Sequence, residues 1–383
     1  MFILLLTRGI PESQDPQWGC FEKDQAEALA ALGHKVVCLS VDGRFRKYWR
    51  KLGTTHVETN GVEFYNWFLI PQSPLIRISR KLSDKYGFLC AHHLFKSILK
   101  KYGKPDVIYA QWYNNMLMGL RFKQKYSIPV VGIEHAARFG IGSILPMSLH
   151  NTRYGAYAFS NVDALITVSK NLQEGIKQKF GVESVVINNL VGGDFIYKEP
   201  KKHKFFSFVS VGTLEYRKGF DIVINALNQI KDKSNIFINI IGEGAERSNL
   251  QKLIDNYGLT DNIKLLGTMQ KPQIVEMMRC SDAFVFGTRN ENFSVAILEA
   301  LSMGLPSIVT DCGGARDCVN DSNGVIVDVD NVGQLSNAMQ FMVDNINIYD
   351  RRAIANDFQQ KFSAESIARQ IATVLKSVVS KNN

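Results

Sequence analysis

In each half of this chain short β-branched runs recur, separated by helical patterns, and that recurrence leaves few folds open. In the first half FILLLT, KVVCLSV, DVIYAQ, IPVVGIE and DALITVS read as strands, with a helix over Glu22 to Leu32 after the first. In the second, FFSFVSVG, NIFINIIGEG, NIKLLG, DAFVFG, PSIVTD and GVIVD repeat the scheme. Runs that are apolar throughout suit strands buried on both faces, so each series predicts a parallel, doubly wound sheet with helices on either side. The expected fold class is α/β: two Rossmann-like doubly wound domains facing a deep cleft. The length of 383 residues agrees, at about 100–200 residues per domain.

Between the two series lies NNLVGGDF (Asn188 to Phe195), followed by Tyr-Lys-Glu-Pro-Lys-Lys-His-Lys, a turn-rich and charged passage that reads as the hinge. It divides the chain into a first domain, 1–190, and a second, 191–361. The last helix, about Ala364 to Val379, follows a sheet that is already complete, and it is expected to pack back on the first domain. Ligands of doubly wound sheets collect beyond the carboxyl ends of the strands. Two such domains face to face can hold a different substrate on each wall, which suits group transfer.

Several classes drop out. No run approaches the roughly 18–20 apolar residues needed to span a bilayer. The apolar opening, Phe2 to Leu6, is too short for a secretory signal and reads as a buried first strand, so a cytoplasmic protein is expected. Six cysteines (Cys20, Cys38, Cys90, Cys280, Cys312, Cys318) contain no CxxC pair, which disfavours a zinc site and a disulfide framework.

The densest chemical signal is RNENFSVAILEALSMGLPSIVTDCGGARD, residues 289–317. Glu291 falls in the loop after DAFVFG, and Glu299 in the first two turns of the next helix. Between them, Asn292, Phe293, Ser294 and Val295 would offer free N–H groups at a helix amino end, where the dipole favours a diphosphate. A carboxylate accepts two charge-assisted hydrogen bonds from vicinal hydroxyls. One carboxylate near a sugar and one near a ribose, with phosphates between, is a nucleotide-sugar arrangement. The bare spacing of two glutamates means little; the strand, loop, helix, Met303-Gly304-Leu305-Pro306, strand and Gly313-Gly314 around them carry the reading.

This segment resembles the EX7E region of family 4 glycosyltransferases, retaining enzymes of GT-B fold. Other passages resemble the same family in the right order: VGTLEYRKGFDIVINAL (211–227) its diphosphate loop and helix, IGEGAERSNLQKLI its second βα turn with Gly242, and NIKLLGT its base-binding strand and loop with Gly267. In the first half WGCFEKDQAEALAALGHKV resembles its acceptor loop, pointing to Trp18 and Gly19, and IEHAARFG carries a cleft histidine, His135, with Arg138 beside it. The resemblance implies that Glu291 contacts donor-sugar hydroxyls and Glu299 the ribose, and that Lys218, with Arg217, neutralises the diphosphate. Many members carry arginine directly after the glycine of the first loop, Gly212, where this chain has Thr213. Either Arg217 takes its place, or donor binding leans on Lys218 and the helix amino end. The implied function is transfer of a hexosyl unit from a UDP- or GDP-linked sugar to a saccharide or lipid-linked saccharide, as in bacterial surface polysaccharide assembly. Rival readings are a sugar-nucleotide 2-epimerase and a catalytically silent glycan-binding subunit.

Gly242-Glu243-Gly244 lacks the third glycine of a dinucleotide fingerprint. Asp328-Val329-Asp330 matches a DxD metal motif only superficially, and Asp330 reads as the cap of a helix over Val332 to Val343. No metal or cofactor is expected beyond the nucleotide sugar itself. His34, His92 and His93 read as structural. The net charge of +9 lies in the first half, where residues 1–190 hold 24 Lys+Arg against 14 Asp+Glu. It concentrates at 44–51 and from Arg77 to Lys104, among aromatics and aliphatics at helical spacing. Such stretches suit an anionic membrane surface and equally a pair of amphipathic core helices. No nucleic-acid-binding module accompanies them.

Overall fold

The computed structural model describes residues 1–12, 15, 18–44, 50–70, 80–201 and 204–382. The first part of the chain runs β1 (Phe2–Thr7), α1 (Cys20–Ala31), β2 (Lys35–Asp42), β3 (Gly53–Thr59), β4 (Val62–Phe68), α2 (Arg80–Tyr102), β5 (Val107–Gln111), α3 (Trp112–Tyr126), β6 (Val130–Glu134), α4 (Leu149–Asn161), β7 (Ala164–Thr167), α5 (Lys170–Phe180) and β8 (Val185–Val186). The second runs β9 (Phe206–Val211), α6 (Phe220–Gln229), β10 (Ile236–Ile241), α7 (Arg247–Asn256), β11 (Ile263–Gly267), α8 (Lys271–Arg279), β12 (Ala283–Phe286), α9 (Val295–Ser302), β13 (Ser307–Thr310), α10 (Ala315–Cys318), β14 (Gly324–Val327) and α11 (Val332–Asn345). Two further helices, α12 (Arg351–Phe362) and α13 (Ala364–Asn382), close the chain.

Among the described residues the first sheet has the order β3-β4-β2-β1-β5-β6-β7-β8 and the second β11-β10-β9-β12-β13-β14. The continuous apolar runs are the central strands: Ile3 to Leu6 of β1 are fully buried between β2 and β5, each leucine contributing roughly 2 kcal/mol. The second sheet is parallel throughout. The first is not, because β3 pairs antiparallel with β4 at its edge. Those two strands are joined by Asn60-Gly61, whose φ values of 49° and 75° make the two-residue turn that a twisted hairpin prefers.

Sheet order fixes where a ligand can sit. In the first sheet the order reverses at β1, between β2 and β5, and in the second at β9, between β10 and β12. The loops after β1, β5, β9 and β12 therefore open the crevices in which doubly wound sheets bind ligands. After the second sheet, α12 packs on α9, and α13 lies against α1, β5 and β6 of the first sheet. No described helix is long and apolar enough to cross a membrane.

Candidate active site

One wall of the site is built by the loops after β9 and β12. After β9 the chain makes a 3-10 turn over Tyr216–Lys218 and enters α6 through Gly219 at φ 63°. A Cβ there would lie 1.9 Å from the Gly287 carbonyl oxygen, so only glycine lets the two loops meet. They are then stitched together: Arg217 O accepts from Arg289 N (2.8 Å), Asn290 N (3.3 Å) and Thr288 Oγ1 (3.0 Å). Arg289, its side chain 8% exposed, clamps the junction. It forks onto Asp221 at 2.6 and 2.8 Å, reaches Asp330 at 2.6 Å, donates to Tyr216 O and lies over the Tyr216 ring.

This stitching brings Lys218 Nζ onto Glu291 Oε2, with Arg217 Nη1 at 3.9 Å. Burial alone would raise the Glu291 carboxyl, but the charge and hydrogen bond of Lys218, then Arg217 and the Asn292 N–H, hold it below its ordinary value. The free N–H set is shorter than the sequence implies: the Asn292 N–H is spent on Glu291 Oε1 at 3.2 Å, and α9 begins only at Val295 after Ser294. Phe293 and Ser294 are buried in the turn between. Gly212 donates to Ile241 O, and Gly242 to Gly267 O, so the ends of β9, β10 and β11 form one continuous floor. The Thr213 hydroxyl is buried without a partner among the described residues.

Glu299 sits in the second turn of α9, in a different setting. Burial pushes its carboxyl up to about 8, with Lys271 opposing and Asp24 adding to the rise. Lys271, at the start of α8, binds Asp24 of α1 at 3.2 Å across the domain boundary and lies 3.8 Å from Asp194. The two glutamates of the motif are thus perturbed in opposite directions, Glu291 downward by lysine and Glu299 upward by burial.

The facing wall is made by the first sheet. His135, at the end of β6, is buried; burial holds its imidazole down to about 4, against the opposing pull of Glu22. Its Nε2 lies 2.7 Å from Gln111 Oε1, and Gln111 in turn donates to Gln25. Nδ1 is buried beside the Asn189 amide and has no partner of good hydrogen-bond geometry among the described residues. Gly19 starts α1 at φ 76°. The Trp18 ring carries two guanidinium groups, that of Arg8 4.6 Å from its centroid and that of Arg44 at 3.1 Å. Arg138 is half-buried after β6 and makes no hydrogen bond or ion pair through its side chain among the described residues.

Several residues of this wall escape the sequence reading. Arg8 binds the fully buried Glu22 at 2.5 Å and lies over Trp112 at 4.2 Å. Trp112 itself holds φ 69°, a strained value for a bulky residue, while its indole donates to Glu22 and its ring meets His135 at 4.9 Å. A carboxylate on the Glu22, Gln25, Ala26, Leu29 stripe that α1 buries was the available signal. Asp330 is not the cap of α11: Asn331 accepts from Gln334 N, while Asp330, at φ 60°, pairs with Arg289. Among the described residues no three His, Cys, Asp or Glu gather as a metal site, and all six cysteines are free. His92 binds the Tyr126 hydroxyl on α3. Of the two basic stretches, residues 45–49 and 77–79 lie outside the described residues.

Comparison with known proteins gives this arrangement its family. The family described as Glycosyl transferases group 1 matches residues 194–360, and that described as Glycosyltransferase Family 4 matches residues 23–192. An uncharacterized glycosyltransferase of Methanocaldococcus jannaschii is 27% identical over 296 residues, 75% of this chain and 80% of that protein. Glycogen synthase of Mycobacterium tuberculosis is 25% identical over 379 residues, covering 92% of this chain and 87% of that protein. Sucrose-phosphate synthase from Thermosynechococcus elongatus superposes over 100% of both chains with a TM-score of 0.79 at 18% identity. Anabaena HepE, in complex with UDP, does so over 98% of this chain and 99% of its own, with a TM-score of 0.73 at 19% identity. Two family matches that together span most of the sequence, on two parallel-sheet domains of this topology, establish that the chain is a glycosyltransferase of GT-B fold and belongs to family 4.

Proposed function

We propose that the protein is a retaining hexosyltransferase that takes its sugar from a UDP- or GDP-linked donor. The observation that carries this is the Lys218–Glu291 pair, set where two strand-end loops meet and flanked by Arg217. Lys218, Arg217 and the amino end of α9 meet the diphosphate, and the unpartnered Thr213 hydroxyl is a further donor at the same loop. Glu291 accepts from sugar hydroxyls and Glu299 from the ribose. Neutral His135 offers Nδ1 to a hydroxyl of the same sugar.

In the reaction the bond between the anomeric carbon and the phosphate oxygen breaks, and the acceptor oxygen bonds to the same face of that carbon. The acceptor proton passes to a phosphate oxygen of the departing nucleoside diphosphate. The chain's share is positioning and electrostatic stabilisation. No protein nucleophile and no metal ion is assigned, and turnover unchanged by EDTA is the expected result.

The acceptor is a saccharide or lipid-linked saccharide held by the wall of Trp18, Gly19 and Arg138. A membrane-borne acceptor is supported by Leu82, Tyr86 and Leu89, exposed at helical spacing on α2, a helix that also carries Lys85, Lys96 and Lys100. Flotation with anionic but not neutral vesicles is the expected outcome. A thermal-shift screen against UDP-, GDP- and ADP-sugars tests the donor reading, since a ligand bound only by the folded state raises the melting temperature. A flat response to all three would refute it.

A further inference from the structure

The amino end of α5, in the first domain, is met from the donor domain by two side chains. Ser169 caps this helix, its Oγ accepting from Leu172 N at 3.1 Å, and its hydroxyl donates to Asn292 Oδ1 at 2.7 Å. The next residue, Lys170, gives its N–H to Asp317 Oδ2 of α10 at 3.0 Å. A carboxylate at a helix amino end is favoured both by the free N–H and by the dipole.

Asn292 does more than touch Ser169. Its Nδ2 donates to His135 O at 3.1 Å, and its own carbonyl accepts from Gly314 N at 2.6 Å. The side chain is 2% exposed and every polar atom of its amide is used across the domain boundary. Gly314 makes the approach possible: a Cβ there would lie 2.9 Å from Ser169 Cβ and 2.5 Å from Phe293. Asn189 adds a third tie, donating to Phe293 O at 3.1 Å. On the other side of Glu291, Asn290 Nδ2 meets Ser143 Oγ at 3.3 Å, so residues on both sides of it are anchored to the opposite domain while its carboxylate faces Lys218.

We propose that Asn292 and Asp317 are positioning residues: by engaging the amino end of α5 they hold the two domains closed and seat the Glu291 loop against the wall that carries His135. Neither needs to touch substrate. The consequence for turnover rests on Glu291 as a donor-sugar ligand; the closure does not, so the two can fail separately.

The test uses small-angle scattering of the full-length, ligand-free protein. A closed chain of this length has a radius of gyration of about 21 Å. Asp317→Ala and the double variant Asn292→Ala/Asp317→Ala are expected to be more expanded than the parent, with circular dichroism and the melting transition of each domain preserved. Superimposable profiles for parent and double variant would overturn the proposal, as would a parent already as expanded as the variant. With UDP-glucose as probe, hydrolysis by the double variant should lose about tenfold or more in kcat, the loss of two or three hydrogen bonds, with KM little changed. A loss confined to KM would also count against positioning. If the parent itself does not turn over UDP-glucose, that result bears on the donor, and scattering decides the closure.

Discussion

Replacing Lys218 with alanine should cost stability and binding through separable routes. Lys218 Nζ contacts Glu291 Oε2, the side chains being 12% and 18% exposed. That places the pair between a surface bridge, worth about 0–1 kcal/mol, and a fully buried one, whose rupture costs about 3–5 kcal/mol. Arg217 at 3.9 Å remains to compensate in part, so a loss of about 2 kcal/mol is expected for the donor domain. With lysine gone, burial dominates the Glu291 carboxyl, and its pKa should rise from its present depressed position. Lys218→Ala/Glu291→Gln removes the uncompensated charge, so it should recover most of the lost stability in urea denaturation at neutral pH. It should not recover binding, because the diphosphate has lost its cation in both variants. One charge-assisted hydrogen bond is worth about 1.5–3 kcal/mol, a weakening of roughly tenfold to a hundredfold in calorimetric Kd for UDP or GDP. A double variant no more stable than the single would refute mutual neutralisation of the pair. An unchanged Kd would refute the role of Lys218 at the diphosphate.

Arg289→Ala removes the buried cation that joins Asp221, Asp330 and Tyr216 O, and should lower donor-domain stability by about 2–4 kcal/mol while weakening UDP or GDP binding through the displaced Lys218 loop; calorimetry showing full affinity would separate the clamp from the site. Gly219→Ala puts a Cβ 1.9 Å from a carbonyl oxygen at positive φ, so expression with native-like melting would contradict the geometry. For Glu299 the folded pKa of about 8 lies above the 4.5 of the unfolded chain. The unfolded state gives up its proton first, so stability should fall as pH rises between those values and level off above; Glu299→Gln should remove that slope. If the ribose hydroxyls bind the ionised form of this group, nucleotide binding expels its proton, so calorimetric heats near pH 7 should vary with the ionisation enthalpy of the buffer in the parent and not in Glu299→Gln.

The central strands were legible because burial on both faces leaves unbroken apolar runs, as in β1 and β12, and each run marks the loop that follows it. The hairpin of β3 and β4 was not, since an edge strand such as GTTHVET is largely polar; its Asn60-Gly61 turn was the usable signal. The donor loops are local in sequence: Lys218, Gly219 and Glu291 lie in the connections that directly follow β9 and β12, and Glu299 in the helix that follows β12. The facing wall is built by long-range contact. Arg8, Glu22 and Trp112 come from the loop after β1, from α1 and from the start of α3, and nothing near any of them in sequence announces the others. Trp18 shows the limit in another way. Its ring lies against the guanidinium groups of both Arg8 and Arg44, 10 and 26 residues away in sequence.

The pairing of Lys218 with Glu291 bears on how such a site exchanges partners when a donor binds. A half-buried cation and a half-buried anion, each awaiting a partner from the donor, would both be costly if left alone. Held together, they neutralise one another at no such cost. In the proposed mode of binding a diphosphate competes for Lys218, and the carboxylate it releases becomes an acceptor for sugar hydroxyls on the same ligand. The two halves of the donor are then recognised in exchange for one internal bond, and a free phosphate, which brings no hydroxyl to replace lysine at Glu291, gains less from the same site. Discrimination between a nucleotide sugar and its bare nucleotide would thus be built into the ion pair itself. It predicts that Glu291→Gln, by loosening Lys218, narrows the affinity gap between UDP-glucose and UDP, whereas an equal loss for both ligands would show that the exchange does not occur.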